Sequence, residues 1–118
     1  MRTILLTAVL LLAATGASAQ QAAQLNADQK VLLRCSAAFA LAANMQEHGD
    51  KTLGEIPELR ARGKEYFVRA MASLMDQQSL DREQVSALLK AEVAALSEGD
   101  ALPKAMPECL ASLQASGL

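Results

Sequence analysis

Two cysteines, one histidine and a pair of methionines are the residues whose types and spacing could do chemistry in this chain. Cys35 and Cys109 are its only cysteines and His48 its only histidine. Two thiols could close a disulfide, cycle as a redox pair or bind a metal. Redox pairs favour Cys-x-x-Cys, and zinc sites gather three or four convergent ligands. Neither cysteine has a histidine or a second cysteine nearby in sequence. Glu47-His48-Gly49-Asp50 offers oxygens and a nitrogen, but without a recognised ligand spacing. His48 falls at the end of a predicted helix, where an imidazolium interacts favourably with the helix dipole. That surface, capping role competes with the role of general base. Met71 and Met75 stand one helical turn apart and could offer thioethers to a soft metal such as copper. On an apolar stripe, methionine more often fills a core. Gly-x-Ser-x-Gly, a glycine-rich phosphate loop, an EF-hand loop and a Cys-x-x-Cys-His haem site are all absent from the sequence. The expectation is a non-enzymatic protein with no cofactor and no metal.

The elements that would hold these residues begin after an export signal. Arg2 is followed by an apolar run from Ile4 to Ala14 and by Ala17-Ser18-Ala19, a small-residue cleavage site. The run has the length of a signal-peptide core and is too short for a comfortable membrane span. Cleavage is expected between Ala19 and Gln20. The predicted organisation is a signal peptide over 1–19, a flexible arm over 20–26 and one helical domain over 27–118. Removal of 1–19 leaves 13 acidic against 10 basic residues, a formal charge of −3. No basic stripe suggests nucleic acid, and the charge argues against anionic membranes. The expected location is the periplasm or the outside of the cell, with no membrane attachment once the signal is gone.

Helical spacing dominates the rest. Asn26 and Gln29 resemble a capping box at the start of a helix over about 27–47, and Gly49 is placed to end it. Leu32, Cys35, Phe39 and Ala42 form its stripe, flanked by several alanines that allow close approach. Glu58–Asp76 carries Tyr66 and Phe67, two of the three aromatics, and repeats apolar residues at steps of three and four. Pro57 suits its first position, and Gly63 on its apolar stripe predicts a neighbouring backbone packed close there. This segment is expected to be the one on which the others pack. Glu58–Arg62 and Glu65–Arg69 are spaced to pair. Asp81 and Gln84 resemble a second capping box, opening a helix with a buried face of Val85, Leu88, Leu89, Val93 and Leu96 and an end near Gly99. Pro103 is expected to interrupt a turn or short helix, and Pro107 to begin a short last helix with Cys109, Leu110 and Leu113. Strict alternation and hairpin signals are missing. The fold class is all-α: a small bundle of three main helices plus a short C-terminal helix.

An oxidising destination makes one Cys35–Cys109 disulfide the economical reading, with intermolecular pairing or free thiols as the alternative. The chain-entropy model assigns such a bond roughly 4 kcal/mol, in a domain whose total stability is about 5–10 kcal/mol.

RCSAAFALAA at Arg34–Ala43, ARGKEYFVRAMASLMD at Ala61–Asp76 and MPECLASL at Met106–Leu113 together resemble an uncharacterised family of short exported helical proteins of Gram-negative bacteria. The resemblance covers most of the chain after the signal. It implies one disulfide and a periplasmic location, and it carries no activity. Small periplasmic acid-stress chaperones are similar only in format, since their motifs do not match. The functional expectation is a binding or regulatory module that meets a protein partner or associates with itself. A periplasmic stress chaperone is the alternative, and a metal carrier or enzyme built on His48 is a third. Phe39, Tyr66 and Phe67 are the candidate interaction face, weighed against a place in the core.

Overall fold

In the computed structural model, which describes residues 24–118, four helices follow one another: α1 (Ala27–Glu47), α2 (Arg60–Gln78), α3 (Arg82–Leu96) and α4 (Ala101–Ala115). The expected signal peptide, its Ala19–Gln20 cleavage point and residues 20–23 of the arm lie outside the described residues. The end of the arm is tied down, because Leu25 is buried in the core.

Local chemistry starts and stops α1 where the sequence predicts. The backbone N–H of Gln29 donates to Asn26 Oδ1 at 2.8 Å, and that of Asn26 donates to Gln29 Oε1 at 3.0 Å. At the other end, Asp50 N donates to Met45 O (2.9 Å) and Gly49 N to Gln46 O (3.1 Å). Gly49 takes φ +70°, so α1 closes in a Schellman motif. The capping box of α3 forms in the same way between Asp81 and Gln84, with Leu80 buried just ahead of it.

The start of α2 departs from expectation. Pro57 is not its first residue; the helix begins at Arg60. Gln46, reaching across from α1, donates through Nε2 to Pro57 O (2.9 Å) and accepts at Oε1 from Leu59 N (3.0 Å). Glu58 Oε1 takes the N–H of Arg60 at 2.7 Å. Two of the orphan N–H groups at this end, those of Leu59 and Arg60, are thus satisfied by side chains, one of them from another helix. The far end of α2 runs two residues past Asp76 and stops at Ser79, which holds φ +52°.

The last helix is longer than the sequence suggests. One continuous helix passes through both prolines, where a break followed by a short helix is expected. Pro103 falls in the first turn, whose N–H groups have no intrahelical partner in any case. Pro107 does forfeit a hydrogen bond, at a cost of about 3 kcal/mol in an ordinary helix interior. Burial of Leu102, Met106, Cys109 and Leu113, at steps of four, three and four, offsets that cost.

The hub of the bundle is α1, not α2. Each of the other three helices packs on α1 more extensively than on either of its companions. Cys35, Ser36, Ala37, Ala38 and Phe39 are all buried. Five consecutive residues cover every direction around a helix, so the middle of α1 is enclosed on all sides. The lone polar side chain among them, Ser36, donates to Leu32 O at 2.7 Å. Gly63, Tyr66, Ala70, Met71 and Leu74 of α2 follow a single face. Its strong amphipathic pattern is the signature of a peripheral helix. On α1, Leu33 rather than Leu32 is the fully buried leucine, and on α3 only Val85 and Leu96 are fully buried, with Leu88, Leu89 and Val93 half-buried.

Cys35 and Cys109 form a disulfide across 74 residues, with Cα atoms 5.1 Å apart and both side chains inaccessible to solvent. It joins the middle of α1 to the middle of α4. Among the described residues, no helix is long and apolar enough to cross a membrane. Replacing both cysteines by alanine is expected to lower the unfolding free energy by up to about 4 kcal/mol. A urea titration of both proteins checks this, each curve extrapolated to water with its own slope, because an unfolded chain without the crosslink exposes more surface.

Candidate functional site

The sequence-predicted chemical residues do not converge. His48 is exposed at the end of α1, and its Nδ1–H donates to Asn44 O at 2.8 Å. Met71 is buried and Met75 half-buried against the same core. No group of three or more His, Cys, Asp or Glu side chains among the described residues is arranged to hold a metal.

The aromatic face is corrected by burial. Phe39 and Tyr66 are core residues at 1% and 2% exposure, so neither projects from the surface. Their rings meet edge to face, centroids 5.0 Å apart and planes at 86°, an arrangement worth about 0.5–1.5 kcal/mol beyond burial. The Tyr66 hydroxyl and Ser112 Oγ are hydrogen-bonded at 2.7 Å, linking α2 to α4. Burial pushes the Tyr66 phenol above its ordinary pKa; the Ser112 hydrogen bond opposes that shift, and the Glu108 carboxylate reinforces it. Phe67, half-buried, is the aromatic of the three that reaches the surface.

Phe67 borders a notch between α1 and α2. Its lining is Phe39, Ala40, Ala43, Leu59, Gly63 and Phe67, with Arg60 and Lys64 at the rim, and its volume is about 260 Å³. Gly63 makes the notch. A Cβ at this position would lie 3.2 Å from Phe39 Cβ and 3.5 Å from Leu59 Cβ. The close neighbour is therefore the stem of a side chain rather than the expected backbone. Ala40 and Ala43 keep the opposite wall low. Val68, next to Phe67, is 57% exposed, the outlying large hydrophobic among the described residues.

The charges around the notch are sparsely paired. Arg60 Nε lies 3.6 Å from Glu47 Oε1, with both side chains at least half exposed. Lys64 forms no ion pair among the described residues. The Glu58–Arg62 pair does not form. Glu58 turns to the backbone of Arg60, and the Arg62 guanidinium donates to the carbonyl oxygen of Leu118. Glu65 and Arg69 pair as expected at 3.2 Å.

Two other clefts differ in character. One of about 380 Å³ lies under the 48–59 connection, between Met45, Leu53 and Ile56 on one side and Asp50, Lys51, Glu55 and Glu58 on the other. Thr52 donates both its hydroxyl and its N–H to Asp50, which holds that carboxyl below the usual range. Another, of about 500 Å³, lies between the start of α2 and α4; its charged lining residue, Arg62, is already engaged by Leu118. Among the described residues, the α1–α2 notch sets an apolar floor of the fully buried Phe39 and Leu59 beside Lys64, a cation that forms no ion pair there, an apolar hollow with a polar rim as binding sites have.

Tyr66 is the single tyrosine of a chain without tryptophan, so its titration can be followed by phenolate absorbance. Its raised pKa gives a stability contribution fully present below the unfolded value of about 10 and lost as pH rises through the higher folded value. The native absorbance midpoint is therefore expected above 10, falling to the model-compound value in denaturant. The Tyr66→Phe protein is expected to lose this alkaline component of its stability profile.

Comparison of the chain with protein-family models, with curated proteins and with solved structures finds no match.

Proposed function

We propose that this chain is an exported, non-enzymatic helical module of the periplasm or the cell exterior that binds a protein partner through the α1–α2 notch. The observation that carries the reading is the notch itself: a floor of buried core side chains, low alanine walls and, at the rim, Lys64, which forms no ion pair among the described residues. Export is supported by the character of residues 1–19 and by the buried disulfide, a bond that persists in oxidising compartments. The regulatory form of the reading needs nothing more than occupancy of the notch.

A photo-activated crosslinking side chain at Ala40, exposed and lining the notch, is expected to give a discrete heavier adduct in intact cells. The same group at Glu98, exposed between α3 and α4, is expected to give none. The reading fails if Ala40 yields no adduct or if both positions yield the same ones.

One observation favours the stress-chaperone alternative. Neither the disulfide nor any ion pair among the described residues ties α3 to its neighbours, and Leu88 and Leu89 in its middle are only half-buried. A chaperone of this kind exposes apolar surface in acid while keeping its helices. An unchanged signal from a hydrophobic dye between neutral and strongly acid pH removes this alternative.

A further inference from the structure

Resting on that reading, we infer that the notch takes one large apolar side chain from an acidic amphipathic helix of the partner. Size comes first. A volume of about 260 Å³ falls below the roughly 300–1,000 Å³ of pockets that enclose a small-molecule ligand. It suits a side chain inserted from outside.

Backbone chemistry selects the form of the partner. The walls of the notch are two α-helices, whose interior N–H and C=O groups are already paired within each helix. An extended peptide laid there would find no ladder of donors and acceptors. A helix satisfies its own backbone and needs only side-chain complementarity.

Charge selects its composition. Arg60 and Lys64 stand four residues apart, one turn along α2, with Cβ atoms of such a pair about 5–6 Å from each other. Glutamates at the same spacing on a partner helix match that row. Lys64 is free to pair. Arg60 is held by an exposed contact at 3.6 Å, of the kind worth about 0–1 kcal/mol and readily exchanged. Val68 and Phe67 continue the apolar surface beside the rim. A second copy of the chain fits poorly, because an isologous contact would bring two copies of the same Arg60–Lys64 rim into one interface.

The test uses the full exported chain with its disulfide intact and three synthetic helical peptides. The first carries leucines on one face with glutamates flanking them at i and i+4. The second replaces the glutamates by lysine, and the third replaces the leucines by alanine. Fluorescence anisotropy is expected to show binding of the first alone, weakening as salt rises. Lys64→Glu is expected to reduce its affinity on the order of tenfold. Ala40→Phe, which fills the notch, is expected to abolish it. Both positions are exposed, and circular dichroism verifies that each variant keeps its fold. Equal binding of the lysine peptide, or unchanged affinity in either variant, overturns the inference. So does a chain that ignores all three peptides and instead binds anionic phospholipid vesicles or dimerises through this face. An adduct at Ala40 without peptide binding leaves the module reading standing and removes only the acidic helix.

Discussion

Enclosure of α1 by three other helices is the constraint on which the rest of the structure depends. Helices pack with axes about 8–10 Å apart, the distance set by the side chains between them. A helix surrounded on all sides in a domain of this length has room for few large residues. Ala37, Ala38 and Ala42 supply the thin directions, while Leu33 and Phe39 supply the bulk. The same thinness recurs at Gly63, where α2 rests against the Phe39 stem. The notch is thus a by-product of close packing: small residues that let two helices approach also leave a gap where they diverge.

Three long-range attachments hold the outer helices to this hub. The Cys35–Cys109 bond fixes α4. Gln29, buried at the start of α1, donates to Gln77 Oε1 and accepts from Gln78 Nε2, each at 2.8 Å, while its Oε1 also takes the N–H of Asn26. One amide therefore caps its own helix and clasps the far end of α2. Gln46 performs the matching task at the near end of α2, so that helix is pinned at both termini by glutamines of α1. Buried amides are costly unless satisfied, and Gln29 meets that condition. Helix α3 meets the hub through apolar contacts, with Val85 and Leu96 buried against the core.

The candidate site inherits its properties from this arrangement. Its floor is rigid because Phe39 is locked against Tyr66, and Tyr66 against Ser112. Rigid floors favour binding because little conformational freedom remains to be lost when a partner arrives. The rim cations project from α2, a helix whose outer face is otherwise committed to local pairing at Glu65–Arg69. Recognition by such a site rests on shape first and on a local, salt-screened charge second.

What the sequence by itself determined is what short-range chemistry decides. The two capping boxes, the left-handed Gly49 and the all-helical class all follow from residues within a turn or two of one another. Two cysteines and an expected oxidising destination made the Cys35–Cys109 bond the economical reading, and the 5.1 Å between their Cα atoms in the fold decided it against the alternatives. Tertiary structure decided everything that depends on residues distant in the chain. A strongly amphipathic pattern marked α2 as prominent, yet enclosure made the more evenly apolar α1 the hub. Prolines argued for a break in α4, yet burial of Leu102, Met106, Cys109 and Leu113 carried the helix through them. Arg62 had a carboxylate one turn away and bonded instead to Leu118, 56 residues on. The notch was half legible, since Gly63 on an apolar stripe signalled a close neighbour. That the neighbour was Phe39, and that Lys64 stood beside it without a partner, required the fold, because no local spacing encodes which surface a helix will meet.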